Sequence, residues 1–160
     1  MDQRKVNMLA RETAKKEKIK SPVILSSHMI GGLKEGKRKM SKSDPENAIF
    51  MCDTAEDVRR KIKNSCCKEG ILEDNVPIEF VKFFILNLKG EFYLKRFKGG
   101  DDCVYTNLED LERDFKDLKV HPDDLKKSLS LELNKILQPI RDHFEYDPNA
   151  RLTFKLTKQY

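Results

Sequence analysis

Apolar residues recur every three or four positions over most of the chain, a pattern that predicts a mainly helical protein. In the first such segment, residues 2–18, Val6 and Leu9 share one face of a helix. Asp2 stands where a carboxylate accepts hydrogen bonds from the N–H groups at a helix start. Residues 23–25, an apolar and mostly β-branched run, then predict a short buried strand.

Four further helices are predicted in the rest of the chain, each from a start signal and an apolar face. Asp53 or Thr54 can cap the second helix and Asn107 the fourth, because their side-chain oxygens accept bonds from first-turn N–H groups. Pro77 and Pro122 stand near the starts of the third and fifth helices, where proline is tolerated. The side chains expected to face inward are Val58, Ile62, Val81, Phe84, Ile85, Leu88, Leu108, Leu111, Phe115, Leu118, Leu125, Leu129, Leu133, Ile136, Leu137, Ile140 and Phe144.

Two local signals modify this helical pattern. Pro139 lies inside the apolar repeat of the fifth helix, which predicts a kink or a break just before it, because proline has no N–H to donate. Residues 92–94 and 104–106 carry β-branched and aromatic side chains and flank a Gly-Gly pair, a combination that predicts a small hairpin. Residues 147–160 show no pattern that decides their structure.

The composition allows a real core but gives the molecule a strongly charged surface. Of the 160 residues, 38% are hydrophobic and 37% are charged, and the net charge is +5. That positive excess fits a polyanionic partner without requiring one. No apolar run approaches the roughly 18 residues of a membrane span, so we expect no membrane association and a cytoplasmic location. The four cysteines lack metal-ligand spacing, which predicts reduced thiols and no protein-bound metal.

One loop carries residues suited to phosphate chemistry. Residues 31–42 begin with two glycines and continue with a run of basic side chains. Lys39 and Lys42 stand three positions apart, so both can close on one polyphosphate and stabilise the charge that builds up on a departing pyrophosphate. The hydroxyls of Ser41 and Ser43 can hold the loop backbone or donate to phosphate. The charge alone also fits an ordinary solvated loop.

The spelling of this loop decides between these interpretations. Lys39-Met40-Ser41-Lys42-Ser43 matches the signature loop of class I aminoacyl-tRNA synthetases letter for letter. Four other segments resemble the archaeal and eukaryotic type of tyrosyl-tRNA synthetase, in order along the chain. They are the helix that starts Asp-Gln-Arg-Lys, at residues 2–12, and the strand before the loop, at residues 22–29. The other two are stretches of the anticodon-binding helices, at residues 120–126 and 133–141.

The resemblance implies two structural parts. Residues 1–52 would be the end of a Rossmann-type α/β catalytic domain, including the signature loop. Residues 53–160 would be a helical-bundle anticodon-binding domain with a small β-hairpin. The chain would then supply the C-terminal half of a tyrosine–tRNA ligase, which activates tyrosine with ATP and transfers it to tRNA(Tyr).

The resemblance also implies roles for residues near the loop. Lys39 and Lys42 would be the catalytic residues, binding the ATP phosphates and stabilising the pyrophosphate. Gln3 would hydrogen-bond tyrosine, and the ATP, which arrives with Mg²⁺ as a substrate, would contact Asp2, Lys39, Met40, Ser41, Lys42 and Ser43. A simple helix cap is the alternative role for Asp2.

A second set of residues would recognise the anticodon. His121 and Asp124 match positions that contact its first base, and Phe97 would stack on that base. In the family the aromatic residue directly precedes a Gly-Gly pair, whereas here Lys98 separates Phe97 from that pair. Without the resemblance, His121 would be an ordinary residue at a helix start.

The chain lacks other parts that a class I synthetase needs. It contains no His-x-Gly-His segment, and the family's tyrosine-specificity residues and main homodimer contact are expected upstream. We therefore expect the chain to be inactive alone and to form a homodimer through the absent N-terminal half. Two alternatives remain: part of a tryptophanyl-tRNA synthetase, or a non-catalytic tRNA-binding module derived from a synthetase.

Overall fold

A computed structural model describes residues 3–36, 39–97 and 99–157, and it confirms a mainly helical fold with a small hairpin. A 3₁₀ turn covers Pro45–Asn47, and a π-helical turn, Val81–Ile85, joins the third helix to the fourth. No helix in these ranges has the length and apolar composition of a membrane span. The helices and strands are α1 (Arg4–Lys16), α2 (Ala55–Lys63), α3 (Val76–Phe80), α4 (Leu86–Lys89), β1 (Phe92–Leu94), β2 (Cys103–Tyr105), α5 (Leu108–Lys116), α6 (Pro122–Tyr146) and α7 (Pro148–Thr157).

The core forms around α6, whose buried leucines recur at every fourth residue. Leu125, Leu129, Leu133 and Leu137 therefore lie on one stripe of the helix. α6 packs against α2, β1, α3 and the π turn. The other buried members of this cluster are Leu33, Val58, Ile62, Val76, Ile78, Phe80, Val81, Ile85, Phe92, Leu94, Tyr105, Leu111, Phe115 and Val120. Most of the predicted inward faces are thus confirmed.

Four side chains that were predicted to face inward are exposed instead. The exposure of Phe84 and Leu88 follows from the π turn. This turn holds more residues than an α-helical turn and so rotates the two side chains out of the buried stripe. Leu118 lies beyond the end of α5 in the left-handed region, with φ 62°, and points to solvent. Phe144 contacts Phe154 of α7, with their ring centres 5.2 Å apart, rather than the core.

Of the kink or break predicted at Pro139, the break is wrong, because α6 runs through the proline as a continuous helix of 25 residues. Pro139 occupies an exposed position, whereas its neighbours Leu137 and Ile140 pack on the core. Burial on both sides of the proline holds the helix together, although the ring removes one backbone hydrogen bond.

The predicted strand at residues 23–25 is also wrong. Val23 and Leu25 are 86% and 93% exposed, and the segment forms no regular element. A strand needs a neighbour for its N–H and C=O groups, and the described residues place none beside it. Val6 and Leu9, which share one face of α1, are exposed as well. The first part of the chain therefore leaves an apolar surface uncovered.

The predicted caps of α2 and α5 and the predicted hairpin are confirmed. Thr54 caps α2 reciprocally: its hydroxyl accepts the Asp57 N–H at 3.0 Å, and the Asp57 carboxylate accepts the Thr54 N–H at 3.3 Å. Asn107 caps α5 by accepting the Asp110 N–H at 2.9 Å. β1 and β2 pair antiparallel, and β2 begins at Cys103, one residue earlier than predicted. α7 occupies the segment that the sequence pattern left open.

Replacement of Pro139 by Ala should stabilise the protein. The alanine restores an N–H donor inside α6, so we expect the free energy of unfolding to rise by about 1–3 kcal/mol. Pro148→Ala is the matched control, because Pro148 stands at the first position of α7, where proline costs little. Urea unfolding measures both variants. An unchanged or lower stability for Pro139→Ala would show that α6 gains nothing from the missing bond.

Glu132 is a buried carboxylate that should make stability depend on pH. Burial alone would raise its pKa, but hydrogen bonds from Lys135, at 2.6 Å, and from Lys89 outweigh burial and hold the pKa below its ordinary value. A lowered folded-state pKa stabilises the protein above the unfolded pKa of about 4.3, and this stabilisation is lost as pH falls through the folded-state value.

We therefore expect Glu132→Gln to lower the free energy of unfolding by about 1–3 kcal/mol at pH 7. The difference from the original protein should shrink as pH falls below about 4, because the folded-state carboxylate becomes protonated only as pH passes through its lowered pKa. Urea unfolding at about pH 7 and about pH 3.5, on either side of the ordinary glutamate pKa, measures the effect. Glu145→Gln, on the exposed last turn of α6, is the control and should change little at either pH.

Candidate functional site

The basic loop of the sequence is closed at its base and anchored to the core. The Leu33 N–H donates to the Asn47 carbonyl at 3.2 Å, and a salt bridge of 2.7 Å joins Lys34 Nζ to Asp44 Oδ1. Leu33 itself is buried, and its carbonyl accepts the Cys66 N–H at 2.8 Å. The loop thus leaves the core at Leu33 and returns to the same place at Asn47.

Both predicted catalytic lysines lie on the exposed part of this loop. Lys39 and Lys42 are exposed, whereas Met40 between them is half-buried and packs against the core. The Asn47 side chain donates to the Lys39 carbonyl at 3.1 Å. Two positive side chains are therefore presented from a backbone that is fixed at one of them.

The two serines of the loop bond to each other rather than to the core. The hydroxyls of Ser41 and Ser43 are 2.8 Å apart, and the Ser43 N–H donates to Ser41 Oγ at 3.3 Å. The Asp44 N–H donates to the Ser41 carbonyl at 3.2 Å and closes a tight turn. In this structure the hydroxyls hold the loop, the first of the two uses that the sequence allowed.

An arginine joins the far end of the loop to α2. Both terminal nitrogens of Arg60 donate to the carboxylate of Glu46 in the 3₁₀ turn, with Nη2 3.1 Å from Oε1. Arg60 Nη2 also donates to Asp57 Oδ1 at 3.1 Å. The hydrogen bonds from Arg60 lower the pKa of the Glu46 carboxyl below its ordinary value. The pair therefore stays charged at neutral pH and keeps the turn beside α2.

The other predicted residues of this region are less informative. Asp2 lies outside the described residues, so its predicted roles stay predictions. Gln3 is exposed at the start of α1, where it makes no side-chain cap, and no hydrogen bond in the described ranges joins it to the loop. The same ranges hold no group of His, Cys, Asp or Glu that could bind a metal ion.

A cavity of about 420 Å³ that the sequence did not predict lies beside the loop. Glu79 accepts the Gly31 N–H at 2.9 Å and lies 3.7 Å from His28 Nε2. The His28 ring stacks on Phe83 of the π turn, with ring centres 4.1 Å apart. These contacts fix the entry to the loop against α3.

A second site gathers the three residues predicted to read a base. The Phe97 N–H donates to Asp124 Oδ1 at 3.2 Å, and the Asp124 side chain is buried. The Phe97 ring is 40% exposed. His121 caps α6, with its Nδ1 accepting the Asp123 N–H at 3.1 Å, and its carbonyl accepts the Asp124 N–H at 3.1 Å. The Phe97 backbone is thus tied to the buried Asp124, and the Asp124 backbone to His121 at the start of α6. Lys98, the extra residue, is outside the described ranges.

Sequence reasoning missed the cations around this site. Lys127 Nζ lies 4.9 Å and Lys95 Nζ 5.7 Å from the centre of the Phe97 ring. A groove of about 360 Å³ adjoins them and is lined by Arg59, Lys63, Asp123, Lys126, Lys127 and Ser130. From the sequence alone, the basic residues of α2 and α6 are typical of two separate solvated helix faces. Only the packing of the two helices brings their charges to one groove.

Comparison with known proteins gives a consistent result. The family model of class I tRNA synthetases (W and Y) matches residues 1–138. The cytoplasmic tyrosine–tRNA ligase 1 of Arabidopsis thaliana is 46% identical over 162 residues, which span 100% of this chain and 42% of the relative. A tyrosine–tRNA ligase of Saccharolobus solfataricus is 38% identical over 164 residues, spanning 92% of this chain and 45% of the relative.

Solved structures agree with the sequences. The crystal structure of tyrosyl-tRNA synthetase from Aeropyrum pernix superposes with a TM-score of 0.83 at 36% identity, over 100% of this chain and 47% of that chain. The chain therefore spans less than half the length of these relatives. Because these relatives are all named for tyrosine, the tryptophanyl alternative is the weaker one.

Proposed function

Because the chain belongs to the tyrosyl-tRNA synthetase family of class I, we propose that it forms the C-terminal part of a tyrosine–tRNA ligase. One observation carries the proposal: the loop with both signature lysines and the base-reading cluster stand on one continuous core. In the proposed reaction the tyrosine carboxylate attacks the α-phosphate of ATP and pyrophosphate leaves. The tyrosyl group then moves to the terminal ribose of tRNA(Tyr).

In the first step Lys39 and Lys42 stabilise the departing pyrophosphate. Negative charge grows on the β- and γ-phosphates as the bond to the α-phosphate breaks, and two ammonium groups on a fixed backbone offset that charge. Ser41 and Ser43 hold the turn that carries Lys42. Magnesium arrives with ATP as part of the substrate. Asp2 and Gln3 are proposed to contact the ribose and the tyrosine, respectively.

The cluster on α6 recognises the anticodon in this proposal. The exposed Phe97 ring offers a face on which an unpaired base stacks, and His121 and Asp124 offer hydrogen-bonding groups to its edge. The nearby ammonium groups of Lys95 and Lys127 add positive charge next to the RNA backbone. The domain boundary near residue 53 would then separate tyrosine activation from anticodon recognition.

The uncovered apolar surface of the first part of the chain fits the remaining part of the catalytic domain. Val6, Leu9, Val23 and Leu25 are all exposed, and burying such side chains is favourable. We propose that an N-terminal half with the His-x-Gly-His segment covers them, supplies the homodimer contact and completes the active site. The proposed location is the cytoplasm, the compartment named for the Arabidopsis relative.

Tyrosine-dependent exchange between ATP and pyrophosphate tests the catalytic proposal. We expect no exchange by this chain alone and clear exchange when an N-terminal half, taken from the Arabidopsis relative, is added. Lys42→Ala should reduce the exchange rate by about 100- to 1,000-fold, because one charge-stabilising donor is lost. Lys68→Ala, which removes an exposed lysine paired with Glu35, is the control and should leave the rate within about twofold, as expected of a surface pair.

The opposite result would favour the non-catalytic module. In that case the added half binds tyrosine but no exchange occurs, while the chain still binds tRNA. Tyrosine binding by the added half and tRNA binding by the chain are therefore measured in the same series.

Binding of tRNA(Tyr) tests the anticodon site. Phe97→Ala should weaken binding by about 10- to 100-fold, because base stacking on an aromatic ring contributes about 1–3 kcal/mol. Tyr146→Ala is the matched control: Tyr146 is 74% exposed at the other end of α6, about 35 Å away by helical rise. Equal losses in the two variants, measured by fluorescence anisotropy, would contradict a base site at Phe97.

A further inference from the structure

Asn47 is buried at the base of the signature loop and bonds to both of the loop's arms. Its side chain is 1% exposed, with Oδ1 accepting the Lys34 N–H at 2.8 Å and Nδ2 donating to the Lys39 carbonyl at 3.1 Å. Its backbone carbonyl accepts the Leu33 N–H at 3.2 Å, and its N–H donates to the Asp44 carbonyl at 2.9 Å. One residue therefore uses all four of its polar groups on the loop.

The chemistry of this position requires an amide. Lys34 presents a backbone donor and Lys39 a backbone acceptor, so the side chain between them must accept with one atom and donate with the other. A carboxylate can accept from Lys34 but places a negative oxygen against the Lys39 carbonyl. An aliphatic side chain would leave both backbone groups without their partner in a largely buried place.

We infer that Asn47 is the positioning residue of the signature loop, with its amide setting where the Lys39 backbone stands relative to the core. Asn47 is buried and acts through Lys39. The chain of contacts runs from the buried Leu33, through Asn47, to the backbone of Lys39. The inference rests on the proposed function in one respect, namely that Lys39 stabilises the pyrophosphate.

A positioning role predicts a specific kinetic signature. Displacing a catalytic group by about 1 Å can cost about 100-fold in rate without changing the binding of the other substrate. The alternative is that Asn47 only stabilises the fold. In that case, replacing another equally buried asparagine should have the same effect on the rate. Asn75 offers that comparison, because it is also 1% exposed and its side chain bonds to Ile71 and Ile78, neither of which belongs to the loop.

The first experiment needs no catalytic activity. Amide hydrogen exchange of the 160-residue chain reports the peptide that covers residues 33–47. Asn47→Ala should speed exchange across this peptide by at least about 10-fold, since the Lys34 N–H loses its acceptor. Asn75→Ala should leave this peptide unchanged although it lowers thermal stability. Unchanged protection in Asn47→Ala would overturn the inference whether or not the chain belongs to an active ligase.

The second experiment measures tyrosine-dependent ATP–pyrophosphate exchange with the N-terminal half present. Asn47→Ala and Asn47→Asp should both lower kcat by about 10- to 100-fold while KM for tyrosine stays within about twofold. Asn75→Ala should keep kcat near its original value below its unfolding temperature. Normal kcat in Asn47→Asp would overturn the role of the Lys39 bond, because that variant retains only the bond from Lys34. If the unmodified complex shows no ATP–pyrophosphate exchange, the proposed function fails. The hydrogen-exchange result then decides by itself whether Asn47 positions the loop.

Discussion

The leucine stripe of α6 is the contact on which the rest of the structure depends. Its burial against α2, β1 and the α3–α4 segment joins elements that are far apart in sequence. The N-terminal end of the same helix carries His121 and Asp124, so the packing that forms the core also fixes the position of these two residues. The core and the proposed anticodon site are therefore coupled, because one helix serves both.

A polar network ties the segment after the loop to this helix. Asp53 accepts hydrogen bonds from the buried Lys61 at 2.7 Å and from the Phe50 N–H at 2.9 Å, and its carbonyl accepts Arg141 Nε at 2.8 Å. Lys61 also lies 5.0 Å from the centre of the Phe50 ring. A buried ammonium needs such partners because burial of an unpaired charge is costly. The network links the segment that leaves the loop to α2 and to the C-terminal half of α6.

The charges of the molecule divide into two kinds by their partners. Around the loop, Lys34 and Arg60 pair with Asp44 and Glu46, so these charges hold backbone in place. Near Phe97 the cations of α2 and α6 line a groove and face outward. A net charge of +5 describes neither arrangement. The distribution of charge differs between the two places: paired charges hold the loop, and a cluster of cations lines the groove.

The sequence by itself determined the helices other than α7, the caps at Thr54 and Asn107, the hairpin and the identity of the signature loop, because these depend on local periodicity, turn chemistry and spelling. It could not determine that α6 continues through Pro139, that residues 23–25 form no strand, or that the Asn47 side chain bonds to both arms of the loop. Each of those depends on what packs beside the segment: core on both sides of the proline, no neighbouring strand, and two backbone groups brought together only when the loop closes. Tertiary contacts decided them because a side chain's partners are not encoded in its immediate neighbours.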